Sequence, residues 1–259
     1  MGIKAENFIE IAPYAKLFLQ GTAVTVLLSL FTVAIGFCIA LVLVLMRMSN
    51  VTPFRALGLD KNGHLKQRGF LVKLSHFNPI SFLATAYVEI LRSTPVIVQV
   101  FIIYYCVFSV IELPSFQLFG FIKFNRFFPG VVALGMNSGA YLCEIMRAGI
   151  QSIDQGQTEA ARSLGMSRAQ NLKYIILPQA LKNILPAIAN EFVVIIKESA
   201  ITYTIGVQDI MSAVNAVKGA TFVIFEPLLV ATAIYFCLCF PASKLIAYFE
   251  RRMSHGDKK

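Results

Sequence analysis

The sequence predicts an all-α, polytopic helical membrane protein with about five transmembrane helices and a helix-turn-helix loop outside the bilayer. Three observations carry that class. Hydrophobic residues make up 57% of the 259 residues and charged residues only 14%, where soluble chains carry about 25% charged. That leaves too little polar surface to coat a water-soluble globule. The apolar residues fall in long runs. Finally, Lys and Arg collect in alternate loops between those runs, which is how membrane topology is encoded.

The first run, Leu17 to Met46, contains no charge. Thirty helical residues reach about 45 Å, against ~30 Å of hydrocarbon, so this helix tilts or begins in the interface. The first span is expected at 17–46. A second is expected at 80–111, with Glu89 and Arg92 near its start, and a third at 127–146. Pro186 marks the approach to a fourth span at 184–207, and a fifth occupies 222–249. The chain reads as one membrane domain, 1–259, with five spans and its termini on opposite sides.

Charge orients it. Fifteen Lys and Arg lie in the segments Arg47–Pro79 and Arg147–Pro178 and in the tail from Lys244, and five lie on the other side (Lys4, Lys16, Lys123, Arg126, Lys218). Positive charge favours the cytoplasm, so the N-terminus is expected outside and the C-terminus inside. Within the first of these loops, Asp60–His64 reads as a turn. No cleavable signal peptide is apparent, because residues before the first run are not clearly basic and the run is too long.

The polar segment 152–178 stands out. Asp154 or Thr158 can start a short helix containing Glu159, Ala160 and Ala161, and Gly165 can end it in the left-handed conformation that suits glycine. Ser167-Arg168-Ala169-Gln170 then has the form of a capping box for a second helix. Met166, Ala169, Leu172 and Ile176 fall on one face of that helix.

Glu159-Ala160-Ala161, three residues, Gly165, nine residues, then Ile175-Ile176-Leu177-Pro178 resembles the EAA loop of importer-type ABC transporter permeases. The resemblance continues in Glu89-Ile90-Leu91-Arg92-Ser93-Thr94-Pro95 with Gln99, in Gly139-Ala140-Tyr141 with Glu144 and Arg147, and in Asn190, Lys197 and Glu198. These patterns are similar to the polar amino acid uptake branch, across roughly residues 17 to 250. Ser93 stands where that branch usually has glycine, and Ala200 where it usually has a hydroxyl. The resemblance implies a permease subunit that catalyses nothing. It implies that Glu159, Ala160, Ala161, Gly165, Leu177 and Pro178 couple it to two ATP-binding cassette subunits. It further implies a second permease, identical or homologous, an extracytoplasmic substrate-binding protein, and residence in a prokaryotic cell membrane.

Bottom-up, the motifs have structural readings beside functional ones. Glu89 with Arg92, and Glu144 with Arg147, are three apart and suit helix-surface ion pairs. Gly135-Met136-Asn137-Ser138-Gly139 is a GxxxG, suited to close helix packing, with Asn137 and Ser138 available to a cavity. Lys197 and Glu198 sit about 16 Å beyond Pro186, near the bilayer midplane. Charge there marks a transport path, or a pair closed on itself or on a partner. A zwitterionic amino acid offers carboxylate to Lys197 and ammonium to Glu198.

Other classes recede. The chain carries no G-x-x-x-x-G-K-[ST] phosphate loop. The net charge of +9 is dealt into loops rather than forming the stripe a nucleic acid needs. Cys38, Cys106, Cys143, Cys237 and Cys239 lie in apolar segments and read as packing thiols. The histidines lack ligand spacing, so neither metal nor cofactor is expected. An ion-coupled secondary transporter and an ABC permease for another solute remain the alternatives.

Overall fold

The computed structural model describes residues 5–49, 51–52 and 76–254, and it is helical nearly throughout, as the class requires. The turn expected at Asp60–His64 lies outside the described residues. α1 (Ala5–Ile11) passes through a tight turn (Ala12–Tyr14) into α2 (Ala15–Met48). α3 (Pro79–Arg92) and α4 (Val96–Ile102) meet at a sharp bend, and α4 ends in a π turn (Ile103–Val107). A two-residue hairpin, β1 (Gln117–Leu118) and β2 (Ile122–Lys123), precedes α5 (Phe124–Gln151). Then come α6 (Gln155–Ser163), α7 (Arg168–Asn171) with a π turn (Leu172–Ile176), and α8 (Leu177–Glu198). A 3-10 segment (Ser199–Ile205), α9 (Ile210–Thr221) and α10 (Phe225–Ser254) complete the chain.

α2 and α5 form the centre. They run parallel, and the predicted GxxxG is what brings them together. A Cβ on Gly139 would stand 2.7 Å from Ile39 Cγ2, and one on Gly135 3.0 Å from Ile35 Cγ2. No larger residue fits that crossing. At one end Ala40, Leu43 and Val44 pack on Ala84, Val88, Leu142 and Met146, with Ala180 and Ile184 of α8. At the other end Val24 and Leu28 pack on Val131 and Leu134, with Val100 and Ile205. α9 lies against the start of α2 through Phe18, Ile210 and Val214.

The outward surface is apolar. Leu19 of α2 is 72% exposed, and Leu45 of α2 with Phe236 and Leu245 of α10 are also exposed. Among the described residues, Glu6–Met48 and Phe225–Met253 are each long and apolar enough to cross a bilayer, and the bent pair α3–α4 makes a third candidate. α5 and α8, at 28 and 22 residues, are long enough at 1.5 Å per residue. They carry Asn137, Ser138, Glu144 and Glu191 toward neighbours, and so are less apolar.

Two sequence expectations need correction. The stretch expected as one span at 80–111 is bent by 110° between Arg92 and Val96. Pro95 cannot donate a helical hydrogen bond and disfavours helical geometry in the residue before it. The helix that carries Pro186, the expected point of membrane entry, begins nine residues earlier, at Leu177, with Pro178 in its first turn. Proline is tolerated there because first-turn N–H groups have no helical partner. The cysteines also differ from the packing role expected. Cys143 alone is buried, and Cys38, Cys106 and Cys237 are exposed.

Candidate functional site

The polar island folds as its sequence demands. Asp154, not Thr158, starts α6, accepting the Gly156 N–H at 2.6 Å. Leu164 closes the helix and Gly165 follows with φ +78°. Met166 N–H reaches back to Ala161 O and Gly165 N–H to Arg162 O, both at 3.0 Å. That reciprocal pair is the Schellman closure, which needs a residue at ease with positive φ. The capping box is present: Gln170 N–H donates to Ser167 Oγ at 3.3 Å, and Ser167 N–H to Gln170 Oε1 at 2.8 Å. Asn171 Nδ2 donates to Thr158 Oγ1 at 3.3 Å, tying the second helix to the first.

Ala161 is buried beneath this island, while Glu159 and Ala160 face out. The face expected from Met166, Ala169, Leu172 and Ile176 is only partly inward. Ile176 is buried, Met166 half-buried, and Ala169 and Leu172 exposed. The outer side is unusually apolar for a polar segment: Leu164 is 82% exposed, and Tyr174, Leu177 and Leu181 are exposed as well. Pro178 is exposed beside them.

Where the island meets the bundle, Glu144 holds two guanidiniums. Arg147 Nε donates to both its oxygens at 3.0 Å, with a further short bond from Arg147 Nη2, and Arg47 Nη1 reaches Oε2 at 2.8 Å. The expected Glu144–Arg147 pair is therefore present, and Arg47 of α2 joins it. The expected Glu89–Arg92 pair is not among the ion pairs of the described residues. Arg92 instead stands over the Tyr141 ring, 5.5 Å from its centroid.

Adjacent residues on α5 divide the interior. Asn137 turns to the bent span: its Nδ2 donates to Gln99 Oε1 at 2.9 Å. Gln99 in turn donates to Leu91 O at 2.7 Å, Thr94 O at 3.1 Å and Thr94 Oγ1 at 2.9 Å. The carbonyls released by the Ser93-Thr94-Pro95 break are thus taken up by two buried amides, since Asn137 Nδ2 also donates to Leu91 O at 3.4 Å. Ser138 turns the other way, and its Oγ donates to Glu191 Oε1 at 3.2 Å.

Glu191 is the residue that the sequence reading missed. It is 8% exposed, an acid within the apolar stretch Ile184–Ile196. Glu198 lies two turns further on, on nearly the same helical face. That seven-residue spacing was the available signal. Lys197 is exposed, and its charge reaches both Glu198 and Cys239 of α10. No ion pair joins Lys197 to Glu198 among the described residues. Glu198 is half-buried at the end of α8, where the helix tightens into the 3-10 segment.

Comparisons with known proteins agree with this architecture. Residues 69–255 match the family described as binding-protein-dependent transport system inner membrane component. The chain is 41% identical over 187 residues, 72% of it and 81% of the relative, to the arginine transport system permease protein ArtQ of Bacillus subtilis (strain 168). It is 34% identical over 245 residues, 95% of it and 96% of the relative, to the putative glutamine transport system permease protein GlnP of Rickettsia typhi (strain ATCC VR-144 / Wilmington). A crystal structure of an amino acid ABC transporter with histidines superposes with a TM-score of 0.79 at 38% identity, covering 97% of this chain and 100% of that one. The MetNI methionine ABC transporter in an inward-facing conformation shares the fold at TM-score 0.61 and 18% identity, over 92% of this chain and 98% of that one. The chain belongs to the family of inner membrane components of binding-protein-dependent transport systems.

Proposed function

We propose that this chain is the permease subunit of an ATP-driven importer that carries a polar amino acid into the cytoplasm by alternating access. The observation that carries the reading is the island 154–178. It is a doubly capped, braced pair of helices that presents Leu164, Tyr174, Leu177 and Leu181, left exposed by the described residues. Such a surface suits a groove on a separate ATPase, and the chain has no phosphate loop of its own. Two ATP-binding cassette subunits, a second permease and an extracytoplasmic binding protein complete the assembly. The five spans are assigned to α2, α3–α4, α5, α8 with its 3-10 segment, and α10. Fifteen basic residues against five support placing the island and the C-terminus inside.

The transport path is assigned to the face of α8 that bears Glu191 and Glu198, with Ser138 opposite. A carboxylate in the membrane interior is costly unless it meets a polar path or a partner, and Glu191 has a single hydroxyl for company. Two acids on one face suit the ammonium of an amino acid, and a cationic side chain still better. Asn137 is committed to Gln99 and supports the path from behind. Lys197 is exposed and is left for a contact outside this path. Reconstitution decides the reading. Uptake of labelled amino acids into liposomes should require the ATPase subunits, the binding protein and ATP, whereas uptake by the chain alone under an ion gradient would overturn it.

A further inference from the structure

A second cavity lies away from this path, between the C-terminal ends of α2 and α5 and the first two turns of α3. It measures about 310 Å³ and is lined by Arg47, Arg147, Ser81, Thr85 and Gln151, with Val44, Met48 and Ile150 as its apolar side. Its electrostatics are unbalanced. Both oxygens of Glu144 are already taken by the two guanidiniums, so two positive charges share one negative. Glu89, whose field also reaches Arg147, does not line the cavity. One Arg147 nitrogen is spent on Gln151 Oε1 at 2.6 Å. Arg47 spends one nitrogen on Glu144 and keeps further N–H groups, Ser81 turns its hydroxyl to Arg47 O at 3.4 Å, and the Thr85 hydroxyl lines the cavity beside them.

The surroundings narrow the ligand. The cavity sits at helix ends where the charge-free run of α2 gives way to Arg47, which is a membrane–water boundary whichever side it faces. Phe82, next to Ser81 on the flank of the cavity face of α3, is 57% exposed and offers an apolar surface beside the cavity. Guanidiniums bind phosphate oxygens through paired, geometrically fixed donors, and basic pockets between membrane helices take anionic headgroups. We propose that this cavity binds a phosphate group, delivered as the headgroup of an anionic membrane lipid whose chains lie along Phe82. The phosphodiester supplies the one negative charge that Arg47, Glu144 and Arg147 leave uncompensated, and so fastens α3 to the α2–α5 pair.

Native mass spectrometry of the full-length protein, incubated with equal amounts of phosphatidylglycerol and phosphatidylcholine, tests this. The wild type should retain phosphatidylglycerol about tenfold better, a difference of about 1.4 kcal/mol. Arg147→Gln, which keeps the Arg47–Glu144 contact, should bring the two lipids to parity. Thr85→Leu, which fills the cavity without touching a charge, should do the same and decides the matter alone if the first variant does not fold. Equal retention by the wild type, or unchanged preference in Thr85→Leu, overturns the site. Displacement of the bound lipid by millimolar inorganic phosphate overturns the lipid source, since a headgroup held also through its chains resists a free anion.

Discussion

Ser138 and Glu191 meet at 3.2 Å, and that single hydrogen bond joins α5 to α8 at the level where α5 also crosses α2. A Cβ on Gly36 of α2 would stand 3.0 Å from the same Ser138 Oγ. Three helices therefore converge on one hydroxyl and one carboxylate, with no cation among the partners of that carboxylate in the described residues. Buried acids left in that state attract cationic ligands, and the first prediction follows from it.

Glu191→Gln preserves an acceptor for Ser138 and removes only the charge. The half-saturation concentration for uptake by the reconstituted transporter should rise about tenfold, equivalent to ~1.4 kcal/mol, with basal ATP hydrolysis retained. Glu198→Gln, half-buried and further along, should shift it less. If both variants take up substrate with wild-type half-saturation and maximum rate, the acidic face is structural.

Gly165→Val addresses coupling. The Schellman closure places residue 165 at φ +78°, where a β-branched side chain is strained by roughly 1–2 kcal/mol. The variant should insert into the membrane normally yet lose transport and substrate-stimulated ATP hydrolysis. A stimulated hydrolysis rate equal to wild type removes the island from the coupling role.

Orientation is checked by labelling. In a cysteine-free background, Gln157→Cys places an exposed thiol on α6, clear of Gly156, whose N–H is engaged by Asp154. It should resist impermeant maleimide in intact cells and react after lysis. Reaction in intact cells would reverse the topology and the coupling scheme with it.

The bend in the second span rests on Gln99. Gln99→Leu abandons Leu91 O, Thr94 and Asn137 together. Because buried unsatisfied groups are costly, it should lower stability by about 2 kcal/mol, seen as a thermal midpoint several degrees lower in detergent. Thr94→Val, which removes one hydroxyl, should cost less. Equal midpoints for wild type and Gln99→Leu would show that the bend is held elsewhere.

Much of this was legible from particular residues. Asp154, Gly165 and the Ser167–Gln170 box act locally, through orphan backbone groups, and local rules suffice to read them. The GxxxG at 135–139 was legible for the same reason, since only small residues allow the approach. The bend at Ser93-Thr94-Pro95 was not. A proline weakens a helix, but whether the chain bends depends on what takes up the freed carbonyls, and that is Gln99 and Asn137, in other turns and another helix. Glu191 escaped because the adjacent charges of Lys197-Glu198, near the midplane, drew the transport path to themselves. Only the packing of α8 between α5 and α10 shows that these two neighbours face different ways and that the solitary acid two turns earlier faces with Glu198.

The bracing of the island has a mechanical consequence. Met166 is bound back to Ala161, Asn171 is bound across to Thr158, and the chain runs without a loop from the π turn into α8. A triangle closed in this way has no slack. On the proposed coupling role, displacement applied at Leu164 should pass to the foot of α8 as a rigid stroke rather than being absorbed by bending, and whatever pushes on that tip should then dictate the pace of opening and closing.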